Sequence, residues 1–144
     1  MSRLHALSSP NLIDDFWEKS RFVTQVSSTF WNIKGRLTIE DRKKKRVFQE
    51  KGAHLYGTFY NTWIWEKNQG RLLLWKARPS SKLPIFLGEF SSGGKDGLVM
   101  LFPHLCGKDT YHGSIALFTN GFYFNWSICC GNTGQKSRVS YRYT

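Results

Sequence analysis

Hydrophobic and polar residues alternate with a period of two along most of the chain, the spacing of strands with one buried face. Trp31, Ile33, Gly35, Leu37 and Ile39 alternate with Asn32, Lys34, Arg36, Thr38 and Glu40. Val47 to Glu50 resumes an extended segment, and Lys51-Gly52 reads as a turn or bulge. Leu55 to Trp65 is rich in aromatics and threonine. Asn68-Gln69-Gly70 then has the composition of a hairpin turn leading into Arg71 to Lys76. Ile85 to Phe90 and Leu98 to Phe102 are short apolar strands set among Pro, Ser and Gly. Tyr111, Gly113, Ile115 and Leu117 alternate again, and Thr119-Asn120-Gly121 turns the chain. Phe122, Phe124, Trp126 and Ile128 form the clearest strand, Gly131 to Gly134 breaks it, and Val139, Tyr141 and Tyr143 mark a last one.

Helical signals are confined to Ser9 through about Ser20, with Ser9 as N-cap and Pro10 in the first turn. Asp14, Asp15 and Glu18 suit the N-terminal half of such a helix. Residues 1–11 read as a flexible or helical extension. Nine or ten short strands with tight turns, no repeat and no linker predict one domain over residues 1–144. The expected fold is all-β: a single antiparallel barrel with a short N-terminal helix over one end.

Composition supports this picture. Aromatic residues make up 16% of the 144, which excludes a disordered chain and favours pleated, half-buried surfaces. No apolar run approaches the roughly 20 residues of a membrane-spanning helix, and Met1 to Pro10 lacks the apolar stretch of a secretory signal. These features point to a soluble protein of the cytoplasm or nucleus. The three cysteines fit that compartment, since Cys129 and Cys130 are adjacent, point apart on a strand, and leave Cys106 alone. Only His104 and Cys106 approach metal-ligand spacing, so neither metal nor cofactor is expected.

Twenty-one Lys and Arg against ten Asp and Glu give a net charge of +11, a field that attracts nucleic acid, anionic lipid or acidic proteins. One block, Arg42-Lys43-Lys44-Lys45-Arg46, concentrates it. Five consecutive cations read either as a solvated hairpin tip or as a polyanion-binding patch.

Several residues have a familiar order: Trp17-x-x-x-Arg21, Gly35 in an alternating strand, and Val47-Phe48-Gln49-Glu50-Lys51-Gly52. They are followed by His104-x-Cys106-x-x-Asp109-x-Tyr111, then Trp126 ahead of Gly131 and Lys136. The series resembles the domain of unknown function 6314 family over about residues 12 to 144, with His104 to Tyr111 its most specific part. The resemblance implies a lipocalin-like (calycin) barrel and supplies no activity.

His104, Cys106, Asp109 and Tyr111 offer a base, a thiol, a carboxylate and a phenol. They read as an activated nucleophile, as ligand contacts, or as a barrel corner in which Asp109 and His104 bond backbone groups and Tyr111 packs inward. Arg21 and Glu50 suggest inward charges that pair with each other or meet a ligand, and Arg21 also suits stacking on Trp17 at a closed end. Hydrolase, phosphate-loop, dinucleotide and zinc-protease signatures are all missing from the sequence, so the expectation is a protein that is not an enzyme.

The leading expectation is a binding protein whose barrel holds a small, mostly apolar ligand, with an acidic head group as one option. Arg21, Glu50, His104, Tyr111 and Trp126 are the candidates for lining its cavity. The alternative is a basic barrel that binds nucleic acid or another polyanion outside, through Arg42 to Arg46 with Lys34 and Arg36. A protein-interaction module with an acidic partner is the third.

Overall fold

The computed structural model describes residues 11–93 and 97–144. After one helix, α1 (Leu12–Ser20), come β1 (Gln25–Ser28), β2 (Ile33–Arg42), β3 (Lys45–His54), β4 (Gly57–Asn68), β5 (Arg71–Ala77) and β6 (Ile85–Ser92). The remainder is β7 (Gly97–Met100), β8 (His104–Cys106), β9 (Asp109–Phe118), β10 (Gly121–Cys129) and β11 (Lys136–Tyr143). Ten strands hydrogen-bond in the order β10-β11-β1-β2-β3-β4-β5-β6-β7-β9, and β9 pairs back onto β10. The all-β expectation is met by a closed ten-stranded antiparallel barrel with one short helix, and closure leaves the ring no free edge. β8 pairs with the first residues of β9 and lies beside the ring.

The alternation of the sequence becomes the two faces of the wall. Ile33, Gly35, Leu37 and Ile39 of β2 are partly covered and point inward, while Lys34, Arg36, Thr38 and Glu40 are exposed. Gln69 and Gly70, at φ 54 and 77, form the expected turn between β4 and β5. Two local expectations are corrected. Trp31 precedes β2, in a 3-10 turn (Phe30–Asn32) where Trp31 and Asn32 take φ of 56 and 50. Gly52 sits inside β3, with no turn there: a Cβ on it would lie 2.1 Å from the Lys34 carbonyl oxygen, so glycine lets β2 and β3 approach. The chain reverses instead at Leu55–Tyr56.

Helix α1 closes one end of the barrel. Asn11 is its N-cap, accepting from the N–H groups of Ile13 and Asp14 at 3.1 and 3.3 Å. Ser9, Pro10 and the rest of the expected extension before Asn11 lie outside the described residues. Phe16, fully buried, projects into the barrel with its ring 4.8 Å from Trp65 and 4.9 Å from Phe122. Trp65 in turn meets Phe90 and Phe124, each at 5.7 Å. This aromatic tier, with Phe48, Leu72, Leu74, Leu98 and Ile115, is the core.

The basic block is only partly the solvated tip it resembles. Arg42, Lys43, Lys44 and Lys45 are exposed around the β2–β3 turn. Arg46 is completely buried, which corrects its assignment to an exposed polyanion patch. Its guanidinium lies 4.1 Å from the centre of the Trp17 ring and donates to the Trp17 carbonyl, to Ser20 Oγ at 2.7 Å and to both Asp41 carboxylate oxygens at 3.2 and 3.3 Å. A cation can be buried here because its N–H groups meet acceptors and its face meets an indole. Arg46 therefore fastens α1 to the barrel.

Candidate functional site

At the end opposite α1 the aromatic tier stops short and leaves a cavity of about 230 Å³. Val26, Trp65, Phe124 and Tyr143 form its floor, Trp63, Trp126 and Tyr141 its walls, and Phe30, Trp31, His54 and Phe59 its rim. The interior is mostly aromatic with a few polar groups, the usual make-up of a small-molecule site.

The polar groups converge from three strands. Glu50 on β3 is 3% exposed, and the hydroxyl of Tyr143 on β11 donates to its carboxylate. Asn61 and Trp63 on β4 pair with Glu50 and Phe48 across the ladder and project into the same space. Lys76 on β5 pairs with Trp63 and holds its ammonium 4.7 Å from the Trp63 ring centre. The buried Trp63 indole N–H is directed toward Glu50 yet completes no hydrogen bond, a state that buried donors rarely occupy.

Burial pushes the Glu50 carboxyl above its ordinary value, opposed by the Tyr143 hydroxyl, by the polar hydrogens of Trp63 and Asn61 nearby and by the Lys76 charge. Burial lowers Lys76, and Glu50 raises it. Tyr141 is raised, first by burial and then by the Glu50 charge, and Tyr143 is driven well above its ordinary value by the same two causes. The cavity thus combines an acid inclined to keep its proton, a cation inclined to lose one, and an N–H donor that completes no hydrogen bond.

Of the five residues expected to line the interior, Glu50 and Trp126 do so. Tyr111 packs edge-on against Trp126 at 6.0 Å, supporting the wall from beside the cavity. His104 pairs with Tyr111 in the β8–β9 ladder, away from the lining. Asp109 accepts from the Gly131 N–H at 3.1 Å and ties the β8–β9 hairpin to the β10–β11 loop, the Asp109 part of the barrel-corner alternative. Cys106 is exposed, and all three cysteines are free thiols.

Arg21 is a correction. It caps α1 at the closed end, where its half-exposed side chain reaches Glu18 at 3.5 Å and Asp41 at 3.6 Å. The helix ends at Ser20, so Arg21 turns outward, and the arginine stacked on Trp17 is Arg46. Lys76, Asn61 and Tyr141 are absent from the expected lining. The signal for Lys76 was its parity, because it follows Leu72 and Leu74 on the inward face of β5.

The rim is held in place locally. Leu55 N–H donates to the Trp31 carbonyl at 2.8 Å, linking the β3–β4 turn to the 3-10 turn. The Trp31 ring stacks on Phe30 at 4.9 Å and meets His54 at 5.7 Å and Tyr56 at 5.6 Å. Two consecutive non-glycine residues at positive φ cost about 1–3 kcal/mol each, a strain that clusters at binding sites.

No protein-family model, curated protein or solved structure matches the chain, so its resemblance to the domain of unknown function 6314 family stays an expectation.

Proposed function

We propose that the chain is a binding protein whose barrel cavity takes a small, mostly apolar molecule with an acidic or other acceptor-bearing head group. The observation that carries this reading is the buried Trp63 N–H without an acceptor, set beside the Lys76 ammonium in an aromatic cavity. A carboxylate placed there would satisfy both donors, and the rings around it would cover an apolar body. Glu50, buried beside them and accepting from the Tyr143 hydroxyl, is the second polar group there, its carboxyl held above its ordinary value by burial.

Titration with hexanoate and with hexanol, read by tryptophan fluorescence, tests this. Trp31, Trp63, Trp65 and Trp126 all border the cavity, so occupancy changes the emission. Hexanoate should bind about tenfold more tightly than hexanol, a preference that Trp63→Phe and Lys76→Met each reduce. Absence of saturable change with either compound, or equal affinity for both in the parent protein, would overturn the reading.

A second reading has its own support. Arg36 and Lys51 are register partners on the outer wall, and Lys34 and Arg142 flank Ser27 on the strands beside it. All four are exposed and, among the described residues, none is in an ion pair. Such a wall suits nucleic acid or an acidic protein held by charge. A single-stranded oligonucleotide would then bind with affinity falling steeply as salt rises, whereas binding in the cavity is nearly indifferent to salt.

A further inference from the structure

The large apolar side chains left in solvent are gathered at one end of the barrel. Leu55, Tyr56, Leu83, Phe102 and Leu105 are between 61% and 78% exposed, and Trp31 is 48% exposed. Trp31 lies between β1 and β2, Leu55 and Tyr56 between β3 and β4, and Leu83 between β5 and β6. Phe102 lies in the connection to β8, and Leu105 on β8 itself, beside the open half of β9. These are the connections around the cavity mouth. At the opposite end, among the described residues, Phe22 is the one comparable side chain.

The open end also carries unpaired cations. Arg78, Lys82, Lys108 and Lys136 are exposed in or beside the open-end connections, and none is in an ion pair among the described residues. Lys82 adjoins Leu83, and Lys108 is close in the hairpin to Leu105. The closed end carries both signs: Asp14, Asp15, Glu18, Glu40 and Asp41 are paired with Lys19, Arg21, Arg42, Arg46 and Lys67. Lys43, Lys44 and Lys45 are exposed at the β2–β3 turn, so it is the apolar tips that distinguish the open end. At the open end the described carboxylate is Asp109, already engaged by the Gly131 N–H.

Apolar tips on separate loops, those at Leu83 and Leu105 with a cation close in sequence, match an anionic lipid surface. The tips can enter the boundary between headgroups and acyl chains while the cations remain among the phosphates. A protein partner would favour one continuous apolar patch with a polar rim. The positive φ of Trp31 and Asn32 and the Leu55–Trp31 backbone bond fix one pair of tips in an outward pose before contact. No helix among the described residues is long and apolar enough to cross a membrane.

We infer that the open end of the barrel docks onto the surface of an anionic bilayer, through Trp31, Leu55, Tyr56, Leu83, Phe102 and Leu105 with Arg78, Lys82, Lys108 and Lys136 around them. The docking depends on the loops and not on what the cavity holds. Loading of the cavity from the bilayer is an extension that does rest on the proposed function.

Co-sedimentation with vesicles tests the docking. Vesicles of equal parts phosphatidylcholine and phosphatidylserine should retain the protein, and vesicles of phosphatidylcholine alone should retain much less. The double variant Leu55→Ser/Tyr56→Ser, and separately Phe102→Ser/Leu105→Ser, should weaken retention about fivefold or more, because removing buried tips removes apolar area from the lipid. Phe22→Ser, at the closed end, should leave it unchanged, with identical melting curves confirming that each variant folds. No retention on the anionic vesicles overturns the docking. Retention that high salt abolishes but the tip variants leave intact also overturns it, since the contact would then be charge alone. The hexanoate titration contains no lipid, so either idea can fail without the other.

Discussion

The hydroxyl of Tyr143, on the last strand, donates to the carboxylate of Glu50 on β3, spanning β1 and β2 through the interior. Tyr143 also stacks on Phe122 at 4.7 Å, so the acid is held by a ring that is itself clamped in the core. A buried acid held in this way makes stability depend on pH.

Burial raises the Glu50 carboxyl above its unfolded value, so the folded protein keeps this proton where the unfolded chain releases it. The resulting stability is fully present below the unfolded value and is lost as pH rises through the folded one. Glu50→Gln removes this titration while retaining an acceptor for Tyr143. Relative to the parent, Glu50→Gln should therefore gain stability as pH climbs above the ordinary carboxyl range. Urea midpoints measured from acid to neutral pH check this, and parallel curves for the two proteins would refute it.

Arg46 and its three lysine neighbours should behave as different residues. Changing Lys43, Lys44 and Lys45 to Gln should alter stability by about 0.5 kcal/mol or less, as exposed substitutions do. Arg46→Gln should cost about 1.5–5 kcal/mol, combining an orphaned Trp17 carbonyl at about 1–3 with a lost cation–π contact at about 0.5–2. Arg46→Lys should recover only part of that, since an ammonium cannot reproduce the planar fork on Asp41. Thermal melts of the three variants decide it, and equal losses for the lysines and Arg46 would contradict the burial.

Trp126 packs on Phe124 at 4.8 Å and on Tyr111, with one side facing the cavity. Trp126→Ala should cost about 2–3 kcal/mol, below the roughly 3–5 of a fully enclosed aromatic. A loss under about 1 kcal/mol in chemical denaturation would place the side chain outside and shift the β10 register.

The thiols should separate by environment. Alkylation of the denatured protein without reductant should label Cys106, Cys129 and Cys130, because none is bridged. In the native protein, the Thr133 hydroxyl, with the backbone N–H groups of Thr133 and Asn132, holds the Cys130 thiol below its ordinary value. Thr133→Val should therefore slow native alkylation of Cys130 at neutral pH and leave Cys106 unaffected. Mass spectrometry of the labelled peptides measures both.

The strands were legible where alternation ran long enough to be seen. β10 presents Phe122, Phe124 and Trp126 inward as its spacing demands, and the turns at Gln69–Gly70 and Thr119–Asn120 follow from their residues. β1 and β8, at four and three residues, are too short for a period to register. Arg46 was hidden by its block: five cations look equivalent, yet Arg46 shares inward parity with Phe48 and Glu50. Lys76 was obscured in the same way by a change of residue type within an inward series. Glu50 reads as an inward charge from the sequence, but its partner does not, because Tyr143 stands three strands away along the sheet only after the ring has closed.

That closure has a consequence for how the molecule assembles. β1 joins β11 through Val26 opposite Tyr143, and Thr144 exchanges backbone bonds with Gln25 while accepting from Thr24. The residues that seal the ring thus stand nearly the whole described chain apart. Nearest-neighbour hairpins from β2 through β6 can form as soon as each emerges during synthesis, but the seam must wait for β11. Until then β1 presents an unpaired outer edge over an unfinished interior, which makes the interval before sealing the time when this chain is most open to mispairing with another copy of itself.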